Sequence, residues 1–258
     1  MNLKKGDFIE VEYTGSLGDQ VFDTTSEEIA KKNNLHNPQN KYENLIICLG
    51  QGQLLKGLDD FLEGKEINKE YETKLQPENA FGRRNAKLIQ MVPKSKFTSQ
   101  NVAPQVGMQL NIDNTIARVV QVSGGRILVD FNHPLAGREV SYKIKVNKKI
   151  EDKSEQLKAI VYMELGLDKN LFEVKIDGDK GVIKLSENLK PLIDNIKDRL
   201  IDKVKETVDI KDFNIEYNPE DKKINKEEKK EVKLEENEKE TKLEEDKKTI
   251  PNKDKKQE

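Results

Sequence analysis

Tryptophan is absent from the 258 residues, cysteine occurs once, histidine twice, and aromatic residues make up only 5%. A single cysteine excludes an intrachain disulfide framework and fits a reducing interior; Cys48, set in an apolar strand-like run, reads as a core filler. His36 and His133 form no cluster with other ligand types, so no metal site and no nucleophile-base pair is legible, and no metal or cofactor is expected. Nucleotide-binding glycine loops are missing too: Gly50-Gln51-Gly52 lacks the downstream glycine and the parallel βαβ setting that such a loop needs. No run approaches the roughly 20 apolar residues that span a bilayer, and Met1 to Asp7 contains no signal-peptide core, so a cytoplasmic protein without membrane contact is expected. Lys plus Arg number 46 against 48 Asp plus Glu, and the formal charge of −2 gives no reason to expect nucleic acid as a partner. The lack of tryptophan, with abundant Lys, Glu, Asn and Ile, fits a hot habitat and an AT-rich genome equally.

What is present is organised around Leu49 to Gly64. An apolar strand-like run, Asn44 to Leu49, ends in the turn Gly50-Gln51-Gly52. From Gln53 onward Leu54, Leu55, Leu58, Phe61 and Leu62 recur at helical spacing, while Lys56, Asp59, Asp60 and Glu63 take the opposite face and Gly64 supplies a stop. A helix this short is marginal alone, so a curved sheet must accept its leucine stripe.

Asp7 to Tyr13 alternates as a half-buried strand, Gly15 to Asp19 reads as a hairpin turn, and Gln20 to Thr24 as the returning strand. Ser26 to Asn33 follows as a helix capped by Ser26, and Glu70 to Leu75 as another strand. Between residues 84 and 137 the texture changes to short β-like runs, Lys87 to Val92, Gln109 to Ile112, Ile116 to Val122 and Arg126 to Asp130. Glu139 to Val146 alternates again and can rejoin the first sheet. The chain therefore reads as α+β, an antiparallel curved sheet wrapped on a short helix over residues 1–83 and 138–150, interrupted by a small inserted β domain at 84–137. Residues 151–217 follow the order α-β-β-α-β, including one long helix from Ser186 to Val208, and suggest a third domain of α+β type. An exposed face on its first helix would favour a homodimer. Residues 218–258, almost wholly Lys, Glu, Asp and Asn, read as a charged disordered tail.

Five stretches then bear on function: Val11-Glu12-Tyr13-Thr14-Gly15, Val21-Phe22-Asp23-Thr24-Thr25, Gly52-Gln53-Leu54-Leu55-Lys56-Gly57-Leu58, Asn79-Ala80-Phe81-Gly82 and Tyr142-Lys143-Ile144-Lys145-Val146. In this order they resemble FKBP-type peptidyl-prolyl isomerases. Phe131-Asn132-His133-Pro134-Leu135-Ala136-Gly137 is similar to the signature of the SlyD branch, in which an insert-in-flap chaperone domain interrupts the isomerase, and the length is similar to that of the long archaeal members. The resemblance implies isomerisation of Xaa-Pro bonds without a cofactor, with Tyr13, Asp23, Phe81 and Tyr142 as catalytic residues. It implies a proline pocket completed by Phe22, Ile47, Leu54, Leu55 and Leu58, with the Leu55 amide on a substrate carbonyl. Without it, Asp23 reads equally as a turn or capping residue and Tyr13 as an ordinary strand aromatic. Leu58 stands where many members carry tryptophan, and Phe81 where tyrosine is usual, so a hydroxyl donor is lost.

The insert is rich in apolar residues for its size, and flexible methionines suit a surface that accepts many unfolded sequences. Met91, Val92, Phe97, Met108, Phe131 and Leu135 are the candidates for a chaperone surface, although spacing does not separate them from core. Unfolded, proline-containing polypeptides are the expected partners. The alternative is a non-enzymatic holdase with weak or no isomerase activity, while metal delivery is not implied by a tail lacking His and Cys.

Overall fold

The computed structural model describes residues 2–99, 101–112 and 115–218; the tail expected beyond residue 218 lies outside them. The chain divides between Lys149 and Ile150 into two compact units. The first is built on an antiparallel sheet of β1 (Phe8–Leu17), β2 (Gln20–Thr24), β3 (Leu45–Cys48), β4 (Lys69–Leu75) and β9 (Val140–Lys149), in the order β2-β1-β9-β4. Strand β1 is shared along its length: Phe8 to Val11 pair with β3, and Thr14 to Leu17 with β2. Helix α1 (Glu27–Lys32) follows β2, with the Ser26 side chain accepting a hydrogen bond from the Ile29 amide. That contact gives the capping role to Ser26 rather than Asp23.

The hub helix is α2 (Lys56–Leu62), which buries Leu58 and Leu62. Gly50 and Gly52, at φ +81° and +69°, hold the left-handed backbone that the turn before it requires. Asp59, assigned by spacing to the polar face, is instead buried at 5% exposure. Its two carboxylate oxygens accept hydrogen bonds from the Gly50 and Gly52 amides, each at 3.2 Å, so the turn and the helix are tied by one side chain. Burial raises the Asp59 carboxyl above its ordinary value of 3.8, against the opposing pull of the two amides. The folded chain thus holds this proton more tightly than the unfolded chain does, and the Asp59 contribution declines as pH rises from that ordinary value to the elevated one. The melting-temperature difference between the parent and Asp59→Asn should shrink across that window; a difference flat with pH would contradict the assignment.

The predicted turn at Gly15 to Asp19 is shorter in the structure. β1 continues through Gly15 to Leu17, and Gly18-Asp19 alone reverses the chain.

Between β4 and β9 the chain forms a separate four-stranded antiparallel sheet, ordered β5 (Ile89–Pro93), β8 (Arg126–Asp130), β7 (Thr115–Ser123), β6 (Gln109–Ile112). Helix α3 (Lys94–Thr98), not foreseen from the sequence, buries Phe97 against the inner face of this sheet together with Val92, Ala117, Val119, Ile127 and Val129.

The second unit holds α4 (Lys153–Leu165), a hairpin of β10 (Phe172–Asp177) and β11 (Lys180–Ser186), the short α5 (Lys190–Ile193), α6 (Lys197–Thr207), and β12 (Asp212–Asn218) parallel to β11. The single helix expected over Ser186 to Val208 is broken. Pro191 occupies the first turn of α5, where its missing amide is tolerated, and residues 194–196 form a turn before α6 starts. Among the described residues this unit exposes no large apolar side chain. No helix of the described residues is long and apolar enough to cross a membrane.

Candidate active site

One face of β1 carries Tyr13, Gly15 and Leu17 at period two, and the register sets Gly15 directly opposite Tyr142 on β9 and Asp23 on β2. Between Ser16, which faces Val21, and Gly15, which faces Asp23, the ladder skips Phe22. This bulge turns the Phe22 ring over the strand. A Cβ on Gly15 would stand 2.8 Å from Phe22 Cζ and 2.9 Å from Tyr142 Cε1, so the absence of a side chain lets both rings lie there.

The aromatic residues make continuous contact. Tyr13 and Tyr142 have ring centroids 6.0 Å apart, Phe22 meets Tyr142 edge-on at 5.8 Å, and Phe22 meets Phe81 edge-on at 5.8 Å. Such edge-to-face packing is the favourable arrangement for ring quadrupoles. At one end the Tyr13 hydroxyl donates to Asp23 Oδ2 at 3.0 Å. Tyr13 is itself fixed by its amide, which donates to Thr25 Oγ1 at 3.0 Å, and by its carbonyl, which accepts from the Thr25 amide at 3.0 Å. Burial pushes the Tyr142 phenol well above its ordinary range, and the nearby Asp23 charge adds to the effect, so it stays neutral.

Leu54, Leu55 and Leu58 pack against this cluster, together with Leu75 and Val140. The Leu55 backbone forms the N-cap of α2, and no protein acceptor engages its amide among the described residues. Ile47 differs from expectation: it is fully buried on β3 opposite Ile9 and lies outside the cluster, because its strand pairs with the first half of β1 and the aromatics sit on the second. Sequence reasoning missed Leu17, Val140 and Ala80, although the period-two pairs Leu17 with Gly15 and Val140 with Tyr142 carried the signal for the first two.

His133 is a further neighbour. Its ring lies parallel to Phe81, with centroids 4.5 Å apart and planes inclined by 1°. The two chain crossings between the sheets meet here. The Gly137 amide donates to the Gly82 carbonyl at 2.8 Å; Asn132 accepts from the Asn85 amide at 2.7 Å and donates to its carbonyl at 2.9 Å. Arg84 pairs with Asp130. Burial opposes the Asp130 charge, but donations from Asn132 and Arg84 outweigh it and hold the carboxyl below the usual range.

On the inserted sheet the six candidates separate. Met91, at 63% exposure, and Met108 face solvent. Val92 and Phe97 are core, since Val92 stands opposite the fully buried Ile127 on the inner face and Phe97 closes that core from α3. Phe131 packs partly against the same core, and Leu135 lies in the return loop rather than on the sheet. All the large apolar side chains exposed among the described residues belong to this insert: Met91, Val106, Met108, Ile116, Val120 and Val122. Met91, Leu128 and Gln121 are cross-strand neighbours on its outer face and, with Ser123, Gly125 and Arg126, line a hollow of about 460 Å³. No group of three or more His, Cys, Asp or Glu among the described residues is arranged to hold a metal ion.

Residues 1–98 match the FKBP-type peptidyl-prolyl cis-trans isomerase family, and residues 90–135 match the FKBP26 IF domain. The short-type peptidyl-prolyl cis-trans isomerase of Methanocaldococcus jannaschii is 35% identical over 144 residues, which cover 56% of this chain and 92% of the relative. SlyD of Haemophilus influenzae is 35% identical and SlyD of Escherichia coli 30% identical, each over 101 residues; these cover 38% of this chain and about half of each relative, 53% and 51%. The sheet, the hub helix and these similarities together lead to one conclusion: the chain belongs to the FKBP-type peptidyl-prolyl cis-trans isomerases.

Proposed function

We propose that this protein accelerates rotation about Xaa-Pro bonds in unfolded or nascent chains, capturing apolar segments on the inserted sheet, residues 84–137, and turning the bond in a cleft formed by Tyr13, Phe22, Leu54, Leu55, Phe81 and Tyr142. The uncatalysed rotation takes tens to hundreds of seconds because the amide loses its resonance as it twists. The planar amide is the more charge-separated form, and an apolar, water-poor surface stabilises it less than water does. The twisted state gains relative to it, and no bond to the protein is made or broken. The observation that carries this reading is the unbroken set of ring contacts from Phe81 to Tyr13, ending on the Tyr13 to Asp23 hydrogen bond.

Asp23 orients Tyr13 at the rim, and the open Leu55 amide holds a substrate carbonyl. A holdase without catalysis is favoured by two observations alone, the apolar insert surface and the absence of a hydroxyl on Phe81. A proline-containing tetrapeptide assay separates the two. The parent should catalyse, and Asp23→Ala should be slower by about tenfold, as fits loss of a hydrogen bond to a charged group worth roughly 1.5 kcal/mol. No catalysis by the parent would leave the holdase reading.

A further inference from the structure

Phe81 has no polar atom with which to anchor its ring, so its orientation in the cleft depends wholly on what packs against it. Phe22 meets it in a T-shaped contact with centroids 5.8 Å apart, and His133 stacks parallel to it with centroids 4.5 Å apart. We propose that His133 is a positioning residue of the isomerase cleft, a flat backstop that fixes the Phe81 ring; the inference rests on the reading of that cleft given above.

His133 suits the task because its own freedom is small. It precedes Pro134, which confines its backbone to extended conformations. Its Nδ1 accepts a hydrogen bond from the Leu135 amide at 3.2 Å, and its carbonyl accepts one from the Ala136 amide at 2.9 Å. The first bond sets the ring's rotation and places the proton of the neutral imidazole on Nε2. On the upstream side Asn132 is bonded at both its side-chain atoms to Asn85, and downstream the Gly137 amide reaches Gly82, the residue after Phe81. Backstop and ring are thus carried by two segments that are bonded to each other, and their separation is set by short contacts rather than by a long loop. An exposed histidine without this surrounding would contribute only a solvated side chain.

Two jobs are separable by substitution. His133→Asn keeps an oxygen where Nδ1 accepts from Leu135 but removes the ring; His133→Phe keeps a flat ring and removes the acceptor. With the full-length protein and a proline-containing tetrapeptide, His133→Phe should stay within about twofold of the parent in kcat/KM. His133→Asn should fall about five- to tenfold, the range of a lost aromatic pair. Combined with Phe81→Leu, His133→Asn should add less than about twofold, since the ring it positions is gone. His133→Leu, which shares the lost acceptor with His133→Phe, supplies the same comparison should His133→Asn fail to fold. The proposal is overturned if His133→Asn matches the parent, if His133→Phe is as slow as His133→Asn, or if the full loss persists without the Phe81 ring. An inactive parent would instead overturn the cleft reading itself, before any His133 variant is compared.

Discussion

Gly15→Ala should lower kcat/KM for a proline peptide by about a hundredfold. The backbone does not object to the change: Gly15 is absent from the positive-φ positions and sits within β1, where alanine is acceptable. The conflict is with the rings. A methyl placed 2.8 Å from Phe22 Cζ and 2.9 Å from Tyr142 Cε1 lies well inside van der Waals contact, so both rings must retreat by a good part of an ångström. Displacements of about 1 Å in groups that shape a transition state commonly cost about 10²-fold. The peptide assay should be paired with thermal melting, where overpacking of this kind typically costs about 1–3 kcal/mol. Adding Phe22→Leu to Gly15→Ala should restore much of the stability but not the rate. Undiminished activity in Gly15→Ala would mean that these rings are not the working surface.

Excising residues 89–130 should slow proline-limited refolding of a protein substrate by about a hundredfold while changing the tetrapeptide rate less than about threefold. The excision is feasible because the chain leaves and returns at one point: the Phe131 amide donates to the Leu88 carbonyl at 3.0 Å, so a two-residue turn can join them. His133 and its bonds to Leu135 and Asn132's to Asn85 remain in the variant. A captured chain presents its Xaa-Pro bonds at a raised effective concentration, an advantage of roughly 10²–10⁴-fold when two sites act on one ligand. A tetrapeptide is too short to use it. A gentler version keeps the sheet and changes Met91→Lys and Ile116→Lys, both more than half exposed at 63% and 61%, so folding should be little disturbed. Refolding rates equal to the parent in both variants would remove the capture role from the insert.

The period of the strands made much of this architecture legible. Gln109 to Ile112 and Arg126 to Asp130 coincide with β6 and β8, and the alternation from Glu139 onward anticipates the return of β9 to the first sheet. Glycine was harder to read. At Gly15 the residue serves a close approach by two rings, which from sequence alone has the same appearance as a turn. Asp59 was assigned to solvent because a carboxylate on a short helix usually is; only the folded glycine turn brings two amides to it. Within β5, Met91 and Val92 are adjacent and equally apolar, and the partner strand decides which faces Ile127 and which faces out. The stacking of His133 on Phe81 joins residues 52 positions apart, by the difference of their numbers, through a loop geometry that no local pattern records.

The position of β9 has a consequence for synthesis. It lies between β1 and β4, pairing Ile9 with Lys149 and Tyr71 with Ile144, so β4 has no partner in this sheet, and β1 only β2 and β3, until β9 ends at Lys149. In the insert β6 pairs with β7 and β7 with β8 as neighbouring hairpins, and β5 waits only for β8, which ends at Asp130, before β9 has begun; low separation between partners speeds folding. A newly made chain can therefore complete the inserted sheet before β9 closes the first one.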